Sequence, residues 1–244
     1  MSANVVVVSG SGRYADPWHP LAETSGRVAD ILREQGHTVT VTDDVDHRLA
    51  ALGDAQGTEV DLLVLNVGAG RTPEERAQVE SSDQRPPASL SDADAAARAG
   101  LLAHLERGRP LLALHVSSTS FGFMPEWESV LGGIWMRGTS MHPPYSLAHV
   151  EVATDAHPVV AGIRDFELND ERYSKLRVSP DAQELAWHQL DGARHPLLWV
   201  HRYAGARVVY DALGHDSASY DSPEHRAIVA NAAAWLLSDG AAAG

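Results

Sequence analysis

Four short apolar runs, set apart by amphipathic or alanine-rich stretches, give the first half of the chain its rhythm. Residues Asn4 to Gly10 read NVVVVSG, a β-branched run ending in Ser and Gly, which is the pattern of a buried parallel strand entering a loop. Leu21, Ser25, Val28 and Leu32 then recur at helical spacing, and Gly36 suits the residue just past a helix end. HTVTVTD (His37 to Asp43) predicts a second strand; VDLLVLNVG (Val60 to Gly68) and RPLLALHV (Arg109 to Val116) predict two more, with Val5 to Val8, Val60 to Leu65 and Leu111 to Leu114 as buried central strands. An alanine-rich stretch from Asp92 to Arg107 predicts a helix between the last two. Strand alternating with helix implies right-handed crossovers, and so an α/β fold with a doubly wound, mostly parallel sheet in a single domain.

After His115 the pattern changes. Gly, Pro and aromatic residues become frequent, and the predicted strands are shorter and more antiparallel: Ala148 to Thr154, Leu197 to Tyr203 and Ala206 to Leu213. A closing helix is predicted, capped by Ser222, with Pro223 in its first turn and Ile228, Trp235 and Leu236 as its apolar stripe. The expected core runs from residue 4 to 237 of the 244, with a fraying tail. Residues 69–91 are polar and proline-bearing and too long for an idle connection; they read as a lid, an oligomer contact or a flexible insertion.

Composition narrows the chemistry. Nineteen Lys and Arg against 33 Asp and Glu leave a formal charge of −14, which repels a phosphate backbone, so nucleic acid is not an expected partner. No run of eighteen apolar residues and no signal-peptide pattern occurs, so a cytoplasmic protein without membrane contact is expected. The chain has no cysteine. Thiolate catalysis and cysteine-ligated zinc are therefore excluded, and a metal site has to be built from histidine and carboxylate, of which the chain has 13 and 33. Two or three histidines with a carboxylate suit zinc or manganese, whereas an oxygen-only set suits magnesium.

In open α/β sheets ligands bind beyond the carboxyl ends of the strands. The first run leads into SGSGRYADPWHP, with Ser9 to Gly12 as a weak candidate anion cradle and Trp18 and His19 close behind; the fourth leads into HVSSTSFGF. His115 stands where class I glutamine amidotransferases carry a nucleophilic cysteine on a tight turn. Ser117 and Ser118 are nearby hydroxyls without a GxSxG context. Asp170 and Glu171 are adjacent, so in extended backbone they point opposite ways, while Glu171 and Tyr173 share a face.

The strings LGGIWMRGTSMHPPY, HPVVAGIRDFELNDERYSKL and WVHRYAGARVVYDALGHD complete a set of motifs. With His115, these place Gly132, Gly133, His142 and Pro143; His157 and Pro158; Asp170, Glu171 and Tyr173; and Arg207, Tyr210, Gly214, His215 and Asp216. From Asn4 to Leu237 the chain resembles the ThuA-like (trehalose-utilisation) family. It departs from it at Ala204-Gly205-Ala206, where the family tends to have Gly-Lys-Gly. The resemblance implies a flavodoxin-like or class I glutamine amidotransferase-like fold and a role in carbohydrate metabolism, often beside oxidoreductases that make keto-sugars.

Two readings follow. In the first, an enzyme acts on a sugar or 3-keto-glycoside by proton abstraction next to a carbonyl, with a lyase, hydrolase or isomerase outcome. His115, Glu171 and His19 are then its catalytic residues, His115, His142, His215 and Asp170 its zinc or manganese ligands, and Ser117, Tyr173, Trp18 and Asp216 its substrate contacts. In the second, a sugar-binding module has lost catalysis together with the ancestral cysteine. The partner in both is a small sugar, with homo-oligomerisation left open.

Overall fold

Four successive valines make β1 (Asn4–Ser9) the hub of the sheet. Val5 to Val8 are buried and have parallel partners on both sides, β2 (Thr38–Thr42) and β3 (Leu62–Asn66). The structure, a computed structural model, describes residues 2–54, 60–69 and 90–238. Beyond β3 lie β4 (Leu111–Leu114) and β11 (Ala206–Asp211), still parallel. Then come β10 (Ala193–Tyr203), β9 (Gln183–Leu190), β6 (Ser146–Val152) and β7 (Phe166–Asp170), each antiparallel to its neighbour. The nine-stranded order is β2-β1-β3-β4-β11-β10-β9-β6-β7. A two-stranded sheet of β5 (Gly133–Ile134) and β8 (Arg177–Val178) stands apart.

Helices flank the parallel half. The chain steps from β1 out to β2 and then back past β1 to β3, so right-handed crossovers put α1 (Leu21–Glu34) and α2 (Val45–Ala51) on opposite faces. The last helix, α5 (Pro223–Leu237), packs beside α1, and α3 (Asp92–Glu106) beside α2; α4 (Trp127–Leu131) lies against β10 and β11. Helix starts follow their residues. Ser91 and Asp94 form a reciprocal capping box at α3, and Ser222 accepts the His225 N–H at α5 with Pro223 in the first turn. The apolar interior is continuous from β1 to β7. Among the described residues no helix is long and apolar enough to cross a membrane.

The doubly wound α/β sheet agrees with the sequence pattern, with three adjustments. Val60 and Asp61 precede β3 rather than belonging to it. The run Ala206 to Leu213, expected among antiparallel strands, instead inserts parallel to β4, because the β10–β11 hairpin lays β10 antiparallel beyond it. That hairpin turns on Ala204 and Gly205, both at positive φ, the geometry of a type I′ turn. β5, β7, β8, β9, α2 and α4 have no counterpart in the elements read from the sequence. Of the segment 69–91, residues 70–89 lie outside the described residues, as does the tail beyond Ser238.

The α2–α3 contact offers a paired test. A Cβ on Gly100 of α3 would run into the carbonyl oxygens of Leu49 and Ala50, whereas one on Gly26 of α1 would meet nothing within 4 Å. Gly100→Ala should cost about 1–3 kcal/mol by overpacking, and Gly26→Ala should add about 0.5–1 kcal/mol through helix propensity. Urea unfolding measures both; equal effects of the two substitutions would contradict this packing.

Candidate functional site

Each strand of the parallel half ends in a loop that the local sequence holds in one place. After β1, the Gly10 N–H donates to Asn66 O, Ser9 Oγ to Leu21 O and Ser11 Oγ to Asp43 O. These groups of the candidate anion cradle are thus engaged with the protein itself. Further along, Asp16 Oδ1 accepts the Trp18 N–H at 3.0 Å and lies 2.9 Å from His19 Nδ1, which turns His19 Nε2 inward. At the end of β4, His115 adopts a left-handed backbone, φ +35°, a strained placement for a residue with a Cβ. Tyr210 Oη donates to its carbonyl at 2.7 Å, and its Nδ1 lies 2.6 Å from Ala212 O. After β11, Gly214 at φ +103° swings the chain round to His215, and a Cβ there would strike the Tyr220 hydroxyl. β7 ends at Asp170 and delivers Glu171.

These loops bring His19, His115, Glu171 and His215 together, one potential ligand atom from each lying within 4.8 Å of all the others. Glu171 Oε2 is 3.7 Å from His19 Nε2, 3.6 Å from His115 Nε2 and 3.2 Å from His215 Nδ1. His115 Nε2 and His19 Nε2 are 3.1 Å apart. Four donors at about 2.1 Å from one ion in tetrahedral array would lie about 3.4 Å from one another, so the spacing suits an ion of that size. The tautomers point the same way. If His115 donates through Nδ1 to Ala212 O and His19 through Nδ1 to Asp16, two Nε2 lone pairs face each other. That contact is repulsive unless a proton or a cation lies between them. His215 Nδ1 is buried without a hydrogen-bond partner and faces the same point. The cluster could therefore hold a metal ion, with Ala212 O and Asp16 as the outer partners that orient ligating imidazoles.

Electrostatics in the metal-free protein follow from this crowding. Burial pulls the His19 pKa down, but the carboxylates of Asp16 and Glu171 outweigh it and raise it to about 9. His115 is lowered, chiefly by complete burial. Burial pushes Glu171 up, yet its contacts with His115, His19 and His215 hold it far below the usual carboxylate range.

A cavity of about 1060 Å³ opens over the cluster, lined by His19, Glu171, His215, Tyr173, Trp135 and His142 among others. His142, expected as a metal ligand, is 38% exposed and stands to one side, with Nδ1 3.6 Å from Glu171 Oε1 rather than Oε2. Tyr173 stacks on His115 with ring centroids 4.2 Å apart, and Trp18 stands on the cavity rim, 71% exposed. Three expected residues face elsewhere. Asp170 accepts four donors, from the backbone of Glu171, Gly214 and His215 and from the Ser219 hydroxyl, which leaves no lone pair aimed at a metal. Ser117 is buried, donating to Leu65 O and accepting the Val67 N–H, so it ties two loops and does not meet a substrate. Asp216 caps the turn Ser217–Asp221 through Ala218 N and Ser219 N. Asp16 was not singled out from the sequence, although its spacing three residues before His19 was visible.

The fold is shared with known structures at low identity. A putative ThuA-like protein from Parabacteroides merdae is 16% identical with a TM-score of 0.71, over 97% of this chain and 90% of that one. One from Bacteroides uniformis is 15% identical with a TM-score of 0.69, over 96% and 91%. A β-galactosidase from Rahnella sp. R3 carries the same fold as part of a longer chain: 12% identity, TM-score 0.56, 97% of this chain and 31% of that enzyme. No curated protein matches the sequence significantly. Residues 4–236 match the ThuA family, described as trehalose utilisation, and the chain belongs to that family.

Proposed function

We propose that the protein is a cytoplasmic enzyme of carbohydrate metabolism that acts on an oxidised sugar of the 3-keto-glycoside type, removing a proton from the carbon beside the ketone. The observation that carries this reading is the convergence of three imidazoles and one carboxylate beneath a large cavity. Family membership suggests the carbohydrate role; the donor set suggests the class of reaction. His19, His115, Glu171 and His215 would hold a zinc or manganese ion, which when bound supplies positive charge opposite a developing oxyanion.

A ketone at ring carbon 3 acidifies the hydrogen on carbon 2. Transfer of that proton to a side-chain base moves the C–H electron pair into an enediolate, whose negative charge rests on the former carbonyl oxygen. The enediolate can expel the substituent at carbon 1, which leaves with the C–O electron pair and is then protonated. It can also be reprotonated at carbon 2 from the other side. Water adding to the eliminated product gives net hydrolysis, so lyase, hydrolase and isomerase outcomes share the first step.

With four donor atoms aimed at one point, the base falls to His142 in place of Glu171 or His115. Glu171 uses Oε2 toward the other histidines and turns Oε1 to His142 Nδ1. His142 Nδ1 has its hydrogen-bond partner in Pro143 O at 3.0 Å, which can orient the imidazole and leave its other nitrogen for substrate. Trp18, Trp135 and Tyr173 offer aromatic faces for a sugar ring.

Two tests address the two halves of the proposal. Zinc titrated into the metal-free protein should bind at about one ion per chain and displace about one proton near neutral pH. The proton comes from His19, whose metal-free pKa of about 9 keeps it charged there. The sign is fixed by the direction of that shift. A folded-state value above the unfolded 6.5 contributes stability that is fully present below 6.5 and is lost as pH rises through about 9. Metal affinity should rise over the same interval. Calorimetry in buffers of different ionisation enthalpy reads the proton count; binding without proton release would contradict it.

For the reaction, a 3-keto-glycoside incubated in deuterated water should exchange the hydrogen at carbon 2 or release its substituent, as followed by NMR. His142→Ala should slow this by roughly 10²-fold while leaving bound metal unchanged. His215→Ala should lose metal first. If neither exchange nor product appears with any metal, a sugar-binding module without catalysis replaces the enzyme.

A further inference from the structure

We infer that a buried chain of Asp211, His225, Ser219 and Asp170 is a positioning device that fixes Glu171 and His215 against each other. All four residues are at most 1% exposed and lie behind the cluster, away from the cavity lining. The inference rests on the metal reading only in naming which side chains have to be aligned.

The hydrogen bonds run outward from His225 to a carboxylate at each end. Asp170 Oδ1 accepts the N–H groups of Glu171 at 2.8 Å and His215 at 3.1 Å; Oδ2 accepts the Gly214 N–H at 2.8 Å and the Ser219 hydroxyl at 2.5 Å. Since Ser219 spends its one proton on Asp170, its oxygen accepts from His225 Nδ1, 2.8 Å away. His225 Nε2 lies 3.0 Å from Asp211 Oδ2 and donates there. Both ring nitrogens therefore carry protons, and a buried imidazolium sits between two carboxylates, one contacted directly and one through Ser219. Asp211 closes the chain by accepting the Leu213 N–H at 3.0 Å.

Each link belongs to an element that carries or borders the site. Asp170 ends β7 one residue before Glu171, Asp211 ends β11 four residues before His215, and His225 lies in the first turn of α5. Asp170 thus holds the backbone of both Glu171 and His215 with a single carboxylate. Burying such groups is costly, and apolar residues of similar volume would hold a loop as firmly. What an apolar contact cannot do is fix two backbone N–H groups from separate loops in direction, which is what keeps Glu171 Oε2 and His215 Nδ1 at 3.2 Å.

The test compares Ser219→Ala and Asp170→Asn with Ser91→Ala, which removes the cap of α3 and touches neither the chain nor the cluster. Cobalt(II) serves as the probe, because its visible absorption reports coordination geometry as well as binding. Both chain variants should bind cobalt about tenfold or more weakly, with an altered visible band, while remaining folded by circular dichroism. Ser91→Ala should lower thermal stability and leave the cobalt spectrum and affinity as they were. Wild-type spectrum and affinity in the chain variants, or an equal change in Ser91→Ala, would overturn the inference. If the wild type itself binds no cobalt, the metal reading fails and the chain is judged in the metal-free protein. There, nitrogen-15 spectra should show His225 with both ring protons, and Ser219→Ala should shift the His215 ring signals. An unshifted His215 would overturn the inference on its own.

Discussion

The arrangement depends on one crowded atom, Glu171 Oε2, with a nitrogen from each of three histidines within 3.2–3.7 Å. Four lone-pair-bearing groups do not assemble at such distances for packing reasons, since each would rather face water. Something positive has to be shared among them. In the metal-free protein that is a proton, held on His19 by Asp16 and Glu171. The cluster could hold a cation in its place, and preorganisation of such a set would keep binding from being spent on ordering the site.

The family motifs divide according to this crowding. His115, Glu171 and His215 form the cluster, and Tyr173 walls it by stacking on His115. The others hold those residues in place. His157 accepts the Val159 N–H and packs its ring on Trp235 of α5. Arg207 donates to Leu236 O at the end of the same helix, and Tyr210 pins the His115 carbonyl. Gly132 and Gly133 let backbone pass against His201 and Trp199, where any Cβ would collide. A motif of catalytic appearance is thus in large part the record of a scaffold built to close one turn, one helix end and one strand contact.

How much of this was legible in the sequence depends on whether the determining forces are local. β1, β3, β4 and α1 announce themselves through apolar runs and helical spacing, and the strand-end rule then places His115 and His19 beside a pocket. The hairpin β9–β10 also left a mark in Asp191-Gly192, both at positive φ, a strong two-residue turn signal that went unread. The choice between Asp170 and Glu171 was not legible, because neighbours on an extended strand differ only in which side meets the Gly214–His215 loop. That loop is supplied by residues 44 positions away. A His-Pro pair likewise reads alike whether it ends among the four clustered donors or, like His142, beside the other oxygen of Glu171.

The backbone turn at His115 decides which way its imidazole faces. A residue at φ +35° costs on the order of 1–3 kcal/mol of strain, and nothing in the core requires it, since Leu111 to Leu114 are already fully buried. The turn leaves the side chain against His19 and Glu171, with the Tyr210 hydroxyl and the Ala212 carbonyl gripping the residue at both ends. A thiol placed on such a turn would be a nucleophile. An imidazole whose Nδ1 is committed to a carbonyl presents instead a fixed lone pair, which cannot attack a carbonyl without giving up its partner but can hold a cation or a proton. A single fixed lone pair is a weak site; with His19, His215 and Glu171 beside it, the four groups could hold one ion.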